Sequence, residues 1–127
     1  QTKQMRRHSD DGFVKVVDYL YEYFDEFKLL FTSGENTIYQ EFIHRVVELD
    51  TGCTEKYIEV SGNDAISSGR LTPELSHLLS SAFYIGMFEV VIHDMPKAQA
   101  IEHIQKMRRF YTAGWQTIFL GDGGDGD

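Results

Sequence analysis

Apolar residues recur with the period of a helix in four stretches of the chain, and nowhere with the period of a strand. From Phe13 they fall at Val16, Val17, Leu20, Tyr23, Phe24 and Phe27, the 3.6-residue stripe of an amphipathic helix. Ser9 and Asp10 offer a cap, and Gly12 sits either at the start of this helix or inside a longer one running from Gln1. The run continues through Leu29, Leu30 and Phe31 to a break at Ser33-Gly34-Glu35-Asn36. A kink near Asp25-Glu26 is expected to divide it into a long helix and a short one. A second helix opens at Thr37, with Gln40 three residues on, as in a capping box. Its apolar stripe is Tyr39, Phe42, Ile43, Val46, Leu49, Cys53, Tyr57 and Val60, and Glu41, Arg45, Glu48, Glu55 and Glu59 hold the opposite face. Thr51 and Gly52 are placed to bend it. Ser61-Gly62-Asn63-Asp64 ends it, and a loop runs to Arg70.

The third helix has the plainest start, with Thr72 as cap, Pro73 at its first position and Glu74 in its first turn. From Ala82 to Ile92 it is apolar around nearly its whole circumference, so it needs cover on more than one side. The fourth helix is expected to begin at Asp94, with Pro96 just inside, and to end at Gly121. It carries Ala98, Ile101, Ile104, Met107, Tyr111, Gly114, Trp115 and Ile118, with Phe110 and Phe119 off that stripe. The fold class is therefore all-α, an antiparallel helical bundle. The last two helices carry more apolar surface than one chain covers, which points to a second chain.

At 127 residues the chain has the size of one domain, large enough to bury roughly 65–70% of its unfolded surface without a disulfide or metal staple. Residues 1–120 form the expected helical domain, and 121–127 a flexible acidic Gly/Asp tail. Cys53 is the single cysteine, which excludes an intrachain disulfide and suggests a reducing compartment. The net charge is −8, from 20 acidic against 12 basic residues, so the chain is poorly suited to grip nucleic acid itself. The longest unbroken apolar run apart from Glu89 is Ala82–Ile92, short of the ~18 residues a bilayer span takes, so a cytoplasmic, membrane-free protein is expected. Gln1 in place of an initiating Met reads as a processed or truncated product.

Candidate chemistry is sparse. Glu41-Phe42-Ile43-His44 and Glu74-Leu75-Ser76-His77 repeat the Glu-x-x-His spacing of di-metal bundles, which makes a ferritin-like site on Glu41/His44 and Glu74/His77 the alternative reading. Against it, Glu41 shares the polar stripe, and Glu74 has a capping role already. The Gly/Asp tail lacks the twelfth-position Glu of a calcium loop. Cys53 has no base beside it and is expected to be a small buried hydrophobe. No catalytic set emerges, no cofactor or metal is expected, and the chain is read as a non-enzyme. The Phe and Tyr residues of the first three helices form either a bulky core or an aromatic-lined cavity.

The stretch Ala82-Phe83-Tyr84-Ile85-Gly86-Met87-Phe88-Glu89-Val90-Val91-Ile92-His93-Asp94-Met95-Pro96, followed by Met107-Arg108-Arg109-Phe110-Tyr111-Thr112-Ala113-Gly114-Trp115, resembles the C-terminal end of TetR-family transcriptional regulators. Phe24–Phe31 and Thr37–Ile43 are similar to earlier regulatory-domain helices of that family. The resemblance covers most of Gly12 to Leu120. It implies a ligand-binding and dimerisation domain whose last two helices pair with their copies in a two-fold four-helix bundle. The ligand, an unidentified small hydrophobic or aromatic effector, would bind among the first three helices, at Tyr19, Tyr23, Phe27, Phe31, Phe42, Val46, Cys53, Tyr57, Phe83 and Met87. The dimer would meet at Tyr84, Phe88, Val91, Ile92, Met107, Arg108, Tyr111, Trp115 and Ile118. DNA would be read only by an N-terminal helix-turn-helix domain outside this chain, since no basic helix pair precedes Phe13.

Overall fold

The computed structural model describes residues 3–34 and 36–121, and these are all-α: α1 (Lys3–Glu22), α2 (Phe24–Thr32), α3 (Asn36–Ser61), α4 (Pro73–Ile92) and α5 (Lys97–Leu120). The expected acidic tail lies, from Asp122 on, outside the described residues. α1 begins at Lys3 and runs through Ser9, Asp10 and Gly12 without a cap there. The expected kink falls at Tyr23, two residues earlier than read, with φ −112° and ψ 41°. Backbone bonds from Tyr23 N to Tyr19 O (3.2 Å) and from Phe27 N to Tyr23 O (3.0 Å) carry the ladder across it.

α4 is the central element, packed along α3 and against α2 and α5, while α1 closes over α5 and α2. Its start is as read: the Thr72 hydroxyl accepts from the Leu75 amide at 3.1 Å, with Pro73 next in line. Ser76 and Ser80 are buried where α3 crosses, and Phe83, Met87, Phe88, Val90 and Val91 fill the core with Val17, Leu20, Phe31, Ile43, Val47, Ala100 and Ile104. Contrary to the expectation from consecutive apolar residues, Pro73–Ile92 is long and apolar enough to cross a bilayer by length and composition. Its serines, Gly86 and Glu89 interrupt the run without making the segment polar, and a core helix of a helical domain meets the same test.

α4 ends on a Schellman turn. Asp94 takes φ 56°, its amide bonds to Val91 O (3.1 Å), and the Met95 amide bonds to Val90 O (2.9 Å). Asp94 therefore terminates α4 rather than starting α5, whose N-cap is Pro96. A short acidic side chain tolerates this left-handed conformation better than most. Lys28 of α2 pairs with its carboxylate, the Tyr21 hydroxyl donates to Met95 O (2.6 Å), and Lys97 pairs with Asp18 (2.8 Å). Burial, then Asp94, raises the Tyr21 pKa.

The far end of α5 is held by the α3–α4 loop. Arg70 donates from Nε to Ile118 O (2.7 Å) and from Nη2 to Phe119 O (3.1 Å), and Asn63 Nδ2 also donates to Phe119 O (3.0 Å). These carbonyls have no partner within the helix, and a cation suits a helix C-terminus. Gly121, at φ 77°, leaves Arg70 its room: a Cβ there would stand 3.3 Å from the guanidinium. Beneath the clamp, Ile58, Ala65 and Leu71 form a small second core with Leu75, Trp115, Ile118 and Phe119.

Replacing Arg70 by Ala is expected to cost about 2 kcal/mol, since two carbonyls lose a charged donor. Denaturant unfolding followed by circular dichroism measures this, and an unchanged midpoint would count against the clamp. Asp64 contacts Arg70 Nη2 at 2.5 Å, and that hydrogen bond first, then the charge, lowers its pKa. A depressed folded-state pKa contributes stability that is present above the ordinary carboxylate range and is lost as pH falls through the lowered value. Arg70→Ala should therefore remove part of the acid sensitivity along with the clamp.

Candidate functional site

A cleft of about 440 Å³ opens between α3, α4 and α5, with Phe13 of α1 at one edge. That volume lies within the range of small-molecule sites. α3 contributes Asp50, Thr54 and Tyr57; α4 contributes Leu79, Ser80, Phe83 and Tyr84; α5 contributes Arg108, Tyr111, Thr112, Trp115, Gln116, Phe119 and Leu120. The rings form continuous walls. Phe83 meets Phe13 and Tyr111 edge-on, with centroids 5.6 and 5.3 Å apart, and Phe119 lies 5.2 Å from Tyr57 and 5.5 Å from Trp115.

Two polar groups stand out in this setting. Asp50 accepts from the Ser80 hydroxyl at 2.5 Å and, more weakly, from the Tyr84 hydroxyl at 3.4 Å. Burial first, then the Asp50 charge and hydrogen bond, holds the Tyr84 hydroxyl protonated far above the usual phenol range. Arg108 lies over the Phe13 ring, 4.8 Å from its centroid, and burial lowers its pKa.

The structure relocates most of the residues assigned to a ligand. Tyr57 and Phe83 line the cleft. Phe31 and Met87 are core residues, and Phe27 and Phe42 are packed against that core. The Phe31 ring lies tilted against those of Phe42 and Phe88, with centroids 5.9 and 4.9 Å away, so solid aromatic packing occupies the place where a cavity was expected. Tyr19 of α1 and Tyr23 at the α1–α2 kink are exposed, their rings tilted against each other with centroids 5.0 Å apart. Val46 is half-buried, and Cys53 is exposed rather than a buried hydrophobe. From the interface set, Tyr84, Arg108, Tyr111 and Trp115 line the cleft of their own chain. Phe88 and Val91 are buried within that chain, and so are unavailable to a second one. Ile92 and Met107 are half-buried against the core, with Met107 Cε seated where Gly86 has no Cβ, and Ile118 packs on the second core.

Asp50 and Thr54 were not legible from the sequence because α3 turns a different face inward than its apolar count suggests, and Ser80 because it is a small polar residue buried on α4. Ile43, Val47, Asp50, Thr54 and Ile58 share the buried stripe, at helical spacing, while Leu49, Cys53 and Val60 point to solvent. Two polar residues on a stripe that begins and ends with β-branched aliphatics were the available signal. α3 also runs unbroken past Thr51 and Gly52.

A second, mostly apolar groove of about 420 Å³ adjoins the cleft, lined by Leu79 of α4 and by Phe110, Tyr111, Ala113, Gly114, Trp115, Thr117 and Ile118 of α5. Leu79, Tyr111 and Trp115 line both spaces and form the wall between them. Around the groove Phe110 is 74% and Leu78 64% exposed. Among the described residues no group of three or more His, Cys, Asp or Glu side chains is placed to hold a metal. Glu41, His44, Glu74 and His77 are all exposed, His44 pairs with Glu48, and the two imidazoles stand 6.3 Å apart between centroids. Comparison with protein families, curated proteins and solved structures returns no match to this chain.

Proposed function

We propose that this chain is the effector-binding and dimerising domain of a TetR-like transcriptional regulator, a cytoplasmic non-enzyme. In this reading α4 and α5 pair with their copies, a small molecule fills the α3–α4–α5 cleft, and DNA is read by a helix-turn-helix domain on the N-terminal side of α1. The observation that carries it is the apolar surface left open on the last two helices, where Leu78, Ile85 and Phe110 stand exposed beside Ala82, Ala113 and Gly114. Large apolar side chains grouped this way mark an association surface. The small residues between them let two helices approach closely. The sequence resemblance in the same two helices supports the same reading.

The wall shared by cleft and groove gives the proposal a physical link between effector and dimer. A molecule against Tyr111 and Trp115 from one side changes what the groove presents on the other. Coupling of this kind typically amounts to ~1–3 kcal/mol, enough to shift a balance between two dimer arrangements. Sedimentation equilibrium is the direct test. A reversible dimer at micromolar concentration is expected, and a strict monomer at hundreds of micromolar would refute the reading.

A further inference from the structure

Among the described residues Asp50 is the one carboxylate of the cleft, and it sets the kind of molecule that fits there. Asp50 is half-buried, and among the described residues its two oxygens accept only from the neutral hydroxyls of Ser80 and Tyr84. None of the ion pairs among the described residues includes it. An ionised carboxylate has about four acceptor directions, so roughly half remain open. Among the described residues no cation pairs with this carboxylate, and Arg108 of the same cleft lies over the Phe13 ring, so an incoming cation would find a partner in a partly enclosed, ring-lined space. The faces of the aromatic walls also attract positive charge. The net charge of −8 adds a long-range pull in the same direction.

We infer that the cleft takes a small monocation with a flat apolar body, of the arylalkylammonium class, its ammonium on Asp50 and its ring among Phe83, Tyr111 and Trp115. The inference rests on the reading of this cleft as the effector site, and it adds the charge and shape of the effector. Arg108, on the same cleft, works against a second positive charge on the ligand.

Isothermal titration with 1-naphthylmethylamine, the matching alcohol 1-naphthalenemethanol and the anion 1-naphthoate tests this with ring size held constant. The amine is expected to bind at least about tenfold more tightly than the alcohol, and only the amine should weaken as salt is raised. Asp50→Asn should bring amine and alcohol to equal affinity. The preference and its salt dependence are read on the unaltered chain, so the test stands even if that variant does not fold. Equal binding of amine and alcohol, or tightest binding of the naphthoate, overturns the charge assignment and leaves the cleft as a ligand site. Absence of binding by all three removes both the assignment and the cleft's role.

Discussion

Replacing Phe88 with Ala is expected to remove about 3–5 kcal/mol of folding stability, a large part of what a domain of this size has. Phe88 is 3% exposed and lies at the meeting point of three helices, its ring 4.9 Å from Phe31 of α2 and 5.5 Å from Phe42 of α3. Truncation leaves a cavity that rings fixed on both sides cannot close, and it forfeits the aromatic pairing as well. The sequence reading put Phe88 between two chains, and the two placements give different results. A core residue lowers the denaturant midpoint by the same amount at low and at high protein concentration. An interface residue leaves the monomer folded and makes the midpoint depend on concentration. A Phe88→Ala chain as stable as the parent, but dissociated, would place Phe88 between two chains instead.

The second large effect belongs to Phe110. Changing it to Glu should leave helix content and monomer stability within about 0.5 kcal/mol, because the ring is mostly in solvent, with its edge-to-face contact made to the adjacent Tyr111. Self-association should weaken by about 2 kcal/mol or more, roughly thirtyfold, since aromatic anchors carry much of an interface's energy and a carboxylate would have to be buried in their place. Analytical ultracentrifugation of parent and variant over the same concentration range reads the difference. Unchanged association would place the contact elsewhere and leave the α4–α5 groove without its assigned role. Together the two substitutions separate what holds the domain together from what joins it to a copy.

The helices themselves were legible because their signals are local. Thr72-Pro73-Glu74 starts α4 where its side-chain chemistry says it should, and Gly121 closes α5. The orientation of α3 was not legible. Leu49, Cys53, Tyr57 and Val60 form a respectable apolar stripe, and only the packing of α4 shows that Val47 and Ile58 lie inward with Asp50 and Thr54 between them. Periodicity gives a helix its stripe but does not choose between two overlapping ones when polar residues occupy the buried face. The turn at Asp94 was misread for a related reason. Aspartate caps a helix start and also tolerates the left-handed conformation after a helix end, and only the backbone distinguishes these uses. The Arg70 clamp joins residues about fifty positions apart, a distance over which neither spacing nor propensity carries information.

The two attachments of α5 make it a beam fixed at both supports. At one end Tyr21, Lys28 and Asp18 hold the turn and first residue, and at the other Arg70 and Asn63 hold the last carbonyls. Such a beam cannot swing; when pushed from the side it bows, most strongly near mid-span. Tyr111, which lines the cleft, lies toward that middle, and its neighbour Phe110 stands beside it on the groove, largely in solvent. Under the proposed function, a molecule that widens the cleft would press on Tyr111 and move the adjoining Phe110 with it, a response that Arg70→Ala is expected to alter by freeing one end of the helix.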